Sequence, residues 1–195
     1  MKQLILATHN DHKAQEFRDI LQQYSLQTLK ELGYDVEVEE TGKNLEENSF
    51  HKAKTVFKVY GHVVISDDSG LEVNALNGAP GVYSARYAGE PRNDYQNTKK
   101  LLDELQGISN RKAQFRTVIT LMNAVNSFQF EGVVSGTITE IPRGVKGFGY
   151  DPIFVPEGHK QTFAELAKDK KNNISHRAIA IKKLVQFLNE HPTFC

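Results

Sequence analysis

The chain has 195 residues, a length that predicts about one domain with a core that needs no disulfide or metal. Lys and Arg number 24, as do Asp and Glu, so the net charge is zero, which argues against a protein that binds nucleic acid through massed cations. No stretch approaches the roughly 20 apolar residues of a membrane span. The lone cysteine, Cys195, excludes an intrachain disulfide and favours a reducing compartment, so we expect a cytoplasmic protein.

The N-terminal part alternates predicted strands and helices. Its first apolar run is shorter than the ~7–15 residues of a secretory signal core and ends in a polar turn, so it predicts a buried strand. Hydrophobic spacing and capping residues then predict two helices and two further strands. In chain order these elements are the strand Leu4–Ala7, a helix capped by Asn10, the half-buried strand Val36–Val38, a helix capped by Asn44 with Glu47 in capping-box position, and the strand Val63–Ile65.

The remainder of the chain predicts both longer strands and helices. The strands form a hairpin around Asn126-Ser127, and a glycine-rich loop follows them. Helices interleaved with strands of both kinds indicate a mixed α/β sheet. In chain order we predict a helix at Tyr95–Leu105, strands at Phe115–Val125 and Phe128–Ile141, the loop Pro142–Asp151, a short helix at Thr162–Lys168 and a last helix capped by Ser175.

Basic side chains occupy the first turns of two predicted helices, where they are unfavourable. A helix start carries about half a unit of positive charge, so a cation there costs about 0.3–1 kcal/mol. Lys13 follows the Asn10 cap, and His176 and Arg177 follow the Ser175 cap. Either these are solvated surface side chains, or the two helix starts hold opposite ends of one anionic ligand, on which amides, dipole and cation converge.

Paired carboxylates follow two of the predicted strands. One pair is Asp67-Asp68 and the other is Glu39-Glu40. Neighbouring side chains on a strand point to opposite faces, so only one of each pair can reach a shared site. Such carboxylates could hold Mg²⁺ together with substrate phosphates, and a spare oxygen could accept a proton from an attacking water. The alternative is that residues 68–70 form a turn and the glutamates are solvated.

Six short motifs occur in one order along nearly the whole chain. They are Thr8-His9-Asn10 with Lys13 and Glu16, Glu39-Glu40-Thr41-Gly42, Ser66-Asp67-Asp68-Ser69-Gly70-Leu71, the segment from Gly78 to Tyr87, Phe148-Gly149-Tyr150-Asp151-Pro152, and Ser175-His176-Arg177. Any one of them is weak, but six in register are specific. Together they closely resemble the inosine triphosphate pyrophosphatase family.

The resemblance implies an enzyme of nucleotide metabolism, a Mg²⁺-dependent pyrophosphohydrolase. It would convert dITP, ITP and XTP to the nucleoside monophosphate and pyrophosphate and so remove them from the nucleotide pool. The implied fold is α/β, an elongated mixed β-sheet with flanking helices and two lobes around a central nucleotide-binding cleft, in one domain over residues 1–195. The resemblance also implies a homodimer, with neither nucleic acid nor a membrane as a partner.

The resemblance assigns residues to roles as well. Asp68 is implied as proton acceptor and metal ligand, and Glu39 as the second metal ligand. The implied substrate contacts are Thr8, His9, Asn10, Asp11, His12, Lys13, Lys52, Ser69, Phe148, Gly149, Tyr150, Asp151, Lys171, His176 and Arg177. His9 departs from the family, which usually has glycine at this position; glycine tolerates a positive φ that histidine adopts only at some cost.

Selectivity must separate a 6-oxo purine from adenine. A donor pairs with an oxo oxygen, whereas a buried donor that faces an amino group is left unpaired at a cost of about 1–3 kcal/mol. We therefore expect the start of the helix after Ser175 to face O6, with Phe148 or Tyr150 stacking on the base. Apart from the resemblance, both aromatic side chains are typical of a core.

Three other functions fit parts of the sequence. A pyrophosphatase for modified pyrimidine nucleotides would share the fold, but Phe148–Asp151 and Ser175–Arg177 favour purines. A nucleotide sensor has no need to hold a water near the α-phosphorus, so Asp68 and Glu39 argue against it. A nucleic-acid-binding module is disfavoured by the neutral charge. Arg86 fits either a phosphate contact or a surface pair, and the histidine spacing does not predict a zinc site.

Overall fold

The computed structural model of the chain describes residues 2–194, which contain a six-stranded β-sheet and five α-helices. The strands are β1 (Lys2–Leu6), β2 (Tyr24–Thr28), β3 (Val64–Val73), β4 (Lys112–Met122), β5 (Ser127–Ile138) and β6 (Phe154–Pro156). The helices are α1 (Asp11–Ile20), α2 (Leu45–Tyr60), α3 (Asp94–Glu104), α4 (Lys168–Ile174) and α5 (His176–Glu190). The strand order in the sheet is β2-β1-β3-β4-β5-β6.

The sheet is mixed, which confirms the predicted α/β class. β1 pairs in parallel with β2, where Leu4 lies opposite Leu26, and with β3, where Ile5 lies opposite Val64. Parallel neighbours need a crossover connection, and the chain uses α1 between β1 and β2 and α2 between β2 and β3. β5 and β6 pair antiparallel at the other edge.

One predicted strand is wrong. Residues 35–41 have no regular secondary structure, and Val36 is 65% exposed. The sheet uses β2 instead, whose Leu26 and Thr28 are buried on one face. Two valines among glutamates offer too little apolar surface to hold Val36–Val38 on the sheet, whereas β2 carries the same period-two signal and buries it.

The two helix starts predicted in the first half of the chain, at Asn10 and Asn44, are confirmed. The Asn10 side chain accepts a hydrogen bond from the Lys13 N–H and so caps α1. The Asn44 side chain accepts from the Glu47 N–H and caps α2, while the Glu47 carboxylate accepts from the Lys43 N–H at 2.8 Å. The Asn44 bond satisfies one of the free amides that begin the helix, and the Glu47 bond fixes the chain just before the cap, as in a capping box.

The second half of the chain confirms the hairpin and corrects a helix. β4 and β5 are sheet neighbours, and the Asn123 N–H donates to the Asn126 carbonyl at 3.0 Å in the turn between them. The short helix predicted at Thr162–Lys168 is wrong. Thr162 and Glu165 close only a single turn there, with side-chain-to-backbone bonds of 2.7 and 3.2 Å, and α4 begins later. Side chains that bond the nearby backbone compete with helix formation in this way.

The described chain forms two compact units, and β3, β4 and β5 contribute residues to both. Unit 1 contains residues 2–68, 117–132 and 177–194, with aliphatic side chains dominating its core. Unit 2 contains residues 69–116 and 133–176, and its core combines aliphatic side chains with packed aromatic rings, the ring centroid of Phe115 lying 4.7 Å from that of Phe154. The two-lobed cleft stays a prediction.

Within residues 2–194, no helix has both the length and the apolar character needed to cross a bilayer. Cys195 lies outside the described residues.

Candidate active site

The turn before α1 is held by its own side chains. The Asn10 N–H donates to the Thr8 hydroxyl at 3.1 Å, and the Asn10 side chain accepts from the Lys13 N–H at the same distance. Asp11 and His12 are exposed, and Asp11 pairs with Lys30 at 3.3 Å. This segment therefore presents a preformed helix start with one inward-facing cation, Lys13, which suits an anionic ligand.

His9 takes the place of glycine without strain. Asn77 is the one non-glycine residue with a positive φ among residues 2–194, so His9 lies outside the left-handed region. Its ring stacks on Tyr34 with centroids 6.5 Å apart, and its Nε2 atom lies 2.6 Å from the Tyr34 carbonyl oxygen. A positive φ is thus not required here, and the side chain has its own packing partner.

β3 continues through the paired aspartates, so the turn interpretation of residues 68–70 is wrong. On one face of the strand, Asp67 is 1% exposed and accepts from Lys13 at 3.0 Å and from Arg177 at 3.2 Å. The Arg177 guanidinium also pairs with Glu16. The first-turn cations of α1 and α5 therefore meet on a single buried carboxylate, which offsets the unfavourable helix dipole.

This cluster fixes the charge of Asp67. Burial alone would raise the pKa of the Asp67 carboxyl, but Lys13 and Arg177 lower it by more, so the pKa lies well below its usual range. Burial lowers the pKa of Lys13, and Asp67 offsets this only in part because Lys52 and Arg177 oppose it. Lys13 is thus a partly buried cation whose burial is not fully offset by Asp67, and the negative charge of a phosphate would offset the remainder.

On the opposite face, Asp68 has a looser set of partners. Its Oδ2 accepts from the Asn48 amide at 3.0 Å, and its Oδ1 lies 3.5 Å from the Lys52 ammonium. Lys52 is closer to Glu40, at 2.8 Å. Burial raises the pKa of Asp68, Lys52 opposes this, and the negative charge of Glu40 adds to it, so the net direction is upward. For Lys52, burial lowers the pKa but Asp68 and Glu40 outweigh it and raise it.

The structure favours Glu40 over Glu39 beside Asp68. Glu39 is exposed, whereas Glu40 is partly buried and shares Lys52 with Asp68. Asn48 links the two carboxylate-bearing segments, because its Oδ1 accepts from the Gly42 N–H at 2.7 Å while its amide holds Asp68. A Cβ on Gly42 would lie 2.6 Å from that oxygen, so the close approach needs glycine. The role of Glu39 as a metal ligand stays a prediction.

The chemistry of this acidic pair fits a hard cation. Asp68 and Glu40 already converge on one positive group, the Lys52 ammonium. No group of three or more His, Cys, Asp or Glu side chains within residues 2–194 is arranged to hold a metal. Two carboxylates are nevertheless the set that Mg²⁺ uses when phosphates and waters complete its octahedron.

In unit 2 the glycine-rich loop is tightly braced. Gly147 and Gly149 have φ values of 75° and 60°, which favour glycine. The Asp151 carboxylate accepts from the Phe148 N–H at 2.9 Å and from Lys171 at 2.7 Å, and the Lys171 ammonium lies 5.0 Å from the Phe148 ring centroid. Asp151 and Lys171 thus bond to each other, and both contact the loop at Phe148.

The predicted base-binding side chains differ in exposure. Tyr150 is buried, and its hydroxyl donates to the Ser84 carbonyl at 2.9 Å, so Tyr150 belongs to the core. His176 is also buried and stacks on Phe115 with ring centroids 4.6 Å apart. Phe148 is partly exposed, which makes it the better candidate for stacking on a base. Ser69 follows Asp68 in β3 and is partly exposed.

Sequence reasoning missed two residues that shape these sites. Asn48 is fully buried within α2, and a polar side chain on the inward face of a helix is the signal that could have found it. Glu16 belonged to a quoted motif, but its partner Arg177 is 161 residues away in the chain, a separation that no local pattern reveals.

Comparison with known proteins places these features in a family. A profile of the Ham1 family matches residues 4–187. A dITP/XTP pyrophosphatase of Bacillus licheniformis is 49% identical over 195 residues, covering 97% of this chain and 100% of the relative. One of Bacillus subtilis is 49% identical and covers 96% of this chain and 98% of the relative.

Solved structures agree with this match. The Ham1 protein of Staphylococcus aureus has a TM-score of 0.89 at 44% identity, covering 97% of this chain and 99% of its own. A HAM1 protein of Coxiella burnetii has a TM-score of 0.90 at 39% identity, covering 97% of this chain and 100% of its own. The resemblance drawn from six motifs is confirmed, and this chain belongs to the Ham1 family.

Proposed function

We propose that this chain hydrolyses dITP, XTP and ITP to the nucleoside monophosphate and pyrophosphate and requires Mg²⁺ to do so. Relatives that share 49% of their residues with it are named dITP/XTP pyrophosphatases. Within this chain the proposal is carried by the geometry around Asp68, a buried carboxylate that shares the Lys52 ammonium with Glu40 and could both hold a cation and accept a proton from water.

In the proposed reaction a water oxygen bonds to the α-phosphorus and the bond from that phosphorus to the bridging oxygen breaks. Pyrophosphate leaves with the bonding electrons, and the water proton passes to the Asp68 carboxylate. Lys52 and Lys13 offset the negative charge of the triphosphate, and the free amides at the start of α1 bind its oxygens. Such a reaction depends on placement and charge more than on covalent chemistry.

Asp68 and Glu40 are the residues that we propose to hold the metal, with Glu39 as the alternative. When bound, Mg²⁺ would supply charge neutralisation and polarisation of phosphate oxygens. Asn48 keeps the Asp68 carboxylate oriented by donating to one of its oxygens, which leaves the other oxygen facing Lys52. The ammonium of Lys52 keeps the two carboxylates together before any ligand binds.

Selection of the base is assigned to unit 2 and to the start of α5. Phe148 offers an aromatic face, and backbone amides at the start of α5 offer donors to a 6-oxo group. Arg177 bonds Asp67 and Glu16, so we assign it to holding that helix start in place. Its direct contact with substrate stays a prediction.

A substrate panel tests the proposed function. Pyrophosphate release is measured from XTP, dITP, ITP, GTP, ATP and dUTP, each with Mg²⁺ and with EDTA. We expect release from the first three, much slower release from GTP and ATP, and none with EDTA. Equal kcat/KM for ITP and ATP would remove the 6-oxo selection, preferential turnover of dUTP would favour a pyrimidine enzyme, and binding without release would indicate a sensor.

We also propose that the chain is a cytoplasmic homodimer, which rests on the family resemblance alone. Light scattering of the purified protein gives the mass of the particle, and fractionation of cells gives its compartment. A particle mass of about one chain, 22.0 kDa, would contradict the dimer.

A further inference from the structure

The glycine-rich loop of unit 2 is braced from two sides, and only one side contains residues of the family motif. Asp151 and Lys171 brace it at Phe148, as described above. The other brace comes from α3, which no motif includes. The Asp94 carboxylate accepts from the Gly149 N–H at 2.7 Å. The peptide group that joins Phe148 to Gly149 is therefore bonded to α3, whereas Lys171 of the first brace belongs to α4.

The same helix also contacts the other side of Gly149, at the peptide group that joins it to Tyr150. The Thr98 hydroxyl lies 3.5 Å from the Gly149 carbonyl, a long and weak hydrogen bond. Residues four apart share one face of a helix, so Asp94 and Thr98 hold Gly149 between them. Gly149 has a φ of 60°, the conformation that glycine adopts without strain and a larger residue does not.

Asp94 is available for this contact because another residue caps α3. The Asn93 side chain accepts from the Gln96 N–H at 3.0 Å and so performs the cap. Asp94 is the first residue of the helix, where a negative charge is favourable in any case. The dipole explains an acidic residue at this position but does not explain its bond to a loop 55 residues further along the chain.

The rest of this helix face supports the same segment of unit 2. The buried Asn97 side chain accepts from the Ala88 N–H at 2.7 Å and donates to the Ala85 carbonyl at 3.0 Å. Tyr150, the next residue after Gly149, donates to the carbonyl of Ser84 in that segment. The face of α3 that carries Asp94, Asn97 and Thr98 thus fixes both the glycine-rich loop and the segment that Tyr150 contacts.

We propose that Asp94 is a positioning residue for the base, acting through the Gly149 amide to set the orientation of the Phe148 ring. This inference rests on the proposed function. A ring that is already oriented loses less freedom when a base stacks on it, so the bond lowers KM and leaves kcat nearly unchanged.

Two substitutions at one position separate this role from a structural one. Asp94→Ala removes the acceptor, whereas Asp94→Asn removes the charge but keeps an oxygen that can accept from the Gly149 N–H. Both lose the same interaction with the helix dipole, so the difference between them reports the hydrogen bond. The matched control is Asp103→Ala, which removes an exposed carboxylate that pairs with Lys99 at 2.6 Å on the same helix.

The experiment measures KM and kcat for XTP together with amide exchange at Gly149 in the nucleotide-free protein. We expect Asp94→Ala to raise KM by about 3- to 10-fold, the loss of one hydrogen bond, with kcat within about twofold. Exchange at Gly149 should accelerate in Asp94→Ala. Asp94→Asn should recover most of both effects, and Asp103→Ala should match the wild type. Thermal unfolding of each variant shows that it is folded.

Four results would overturn the proposal. An unchanged KM in Asp94→Ala with faster Gly149 exchange would make the bond purely structural. Unchanged exchange would mean that the bond does not protect the amide. A fall in kcat at constant KM would place Asp94 in the chemical step instead. If the wild type releases no pyrophosphate from XTP, the proposed function is wrong, and so is this inference, which rests on it. If the wild type does release pyrophosphate, the variants test this inference alone.

Discussion

Asp67 and Asp68 are neighbours in one strand, yet their surroundings give them opposite properties. Both are buried, and burial alone would raise the pKa of each. Asp67 faces two cations within 3.2 Å, so its pKa falls, whereas Asp68 shares one more distant ammonium with Glu40, so its pKa rises. One carboxylate is fixed as an anion that organises two helix starts, and the other is the more basic and suits proton transfer.

The difference teaches that a run of two aspartates is not one functional unit. A strand directs successive side chains to opposite faces, and each face meets different helices. Asp67 meets α1 and α5 through Lys13 and Arg177, while Asp68 meets α2 through Asn48 and Lys52. Substitutions at the two positions should therefore separate catalysis from stability.

The largest expected effect is on turnover by Asp68→Asn. Loss of the proton acceptor should lower kcat for XTP by about 10²–10⁴-fold. Since burial and Glu40 disfavour the charged form of Asp68, the free energy of unfolding at pH 7 should be unchanged or higher. Steady-state pyrophosphate release and urea unfolding provide the two readings. Near-normal turnover would remove Asp68 from the proposed role.

The matching substitution Asp67→Asn should act on stability instead. It leaves Lys13 and Arg177 without their shared carboxylate, and breaking a buried ion pair costs about 3–5 kcal/mol. Urea unfolding measures the loss. Adding Lys13→Met should cost less than the sum of the two single changes, because one unpaired charge is removed. Strict additivity would mean that the two groups do not interact.

The two glutamates offer a matched pair for the metal proposal. Glu40→Gln should raise the Mg²⁺ concentration for half-maximal turnover by at least about tenfold, the scale seen when groups supporting a metal are lost. Glu39→Gln should stay close to the wild type, because Glu39 is exposed and Glu40 shares Lys52 with Asp68. Calorimetric titration with Mg²⁺ gives a second reading. The reverse outcome would support the original assignment to Glu39.

The smallest expected effect is a change in acid sensitivity. Because the pKa of Asp67 is lowered on folding, its contribution to stability is present above the ordinary carboxyl pKa of 3.8 and is lost as pH falls further. The difference in unfolding free energy between wild type and Asp67→Asn should be constant from pH 5 to 7 and shrink below about pH 4. A difference that grows on acidification would contradict the sign of the pKa shift.

Local signals in the sequence predicted much of the fold. The caps Asn10 and Asn44 and the apolar faces that follow them predicted the starts of α1 and α2, because capping depends on residues within one turn. Val36–Val38 failed because period-two alternation does not say whether a strand finds a partner. Strand pairing depends on contacts between distant parts of the chain, and it is β2 that pairs with β1 at this edge of the sheet.

The candidate site was predictable only in part, and for a similar reason. The sequence shows cations at two helix starts but not the carboxylates that meet them. Lys13 and Arg177 are not solvated surface side chains, since Asp67 and Glu16 pair with them, and the binding of a ligand at these helix starts stays a prediction. Those partners come from distant parts of the chain. The choice of Glu40 beside Asp68 likewise depends on how Gly42 lies against Asn48.

The reaction itself is tested most directly by hydrolysing XTP in water enriched in ¹⁸O and locating the label by mass spectrometry. Attack at the α-phosphorus, with Asp68 accepting the proton, predicts that XMP carries the label and that pyrophosphate carries none. Label in pyrophosphate would place the attack on the β-phosphorus, and XDP with labelled orthophosphate would show a different hydrolase. Either of those results would contradict the account.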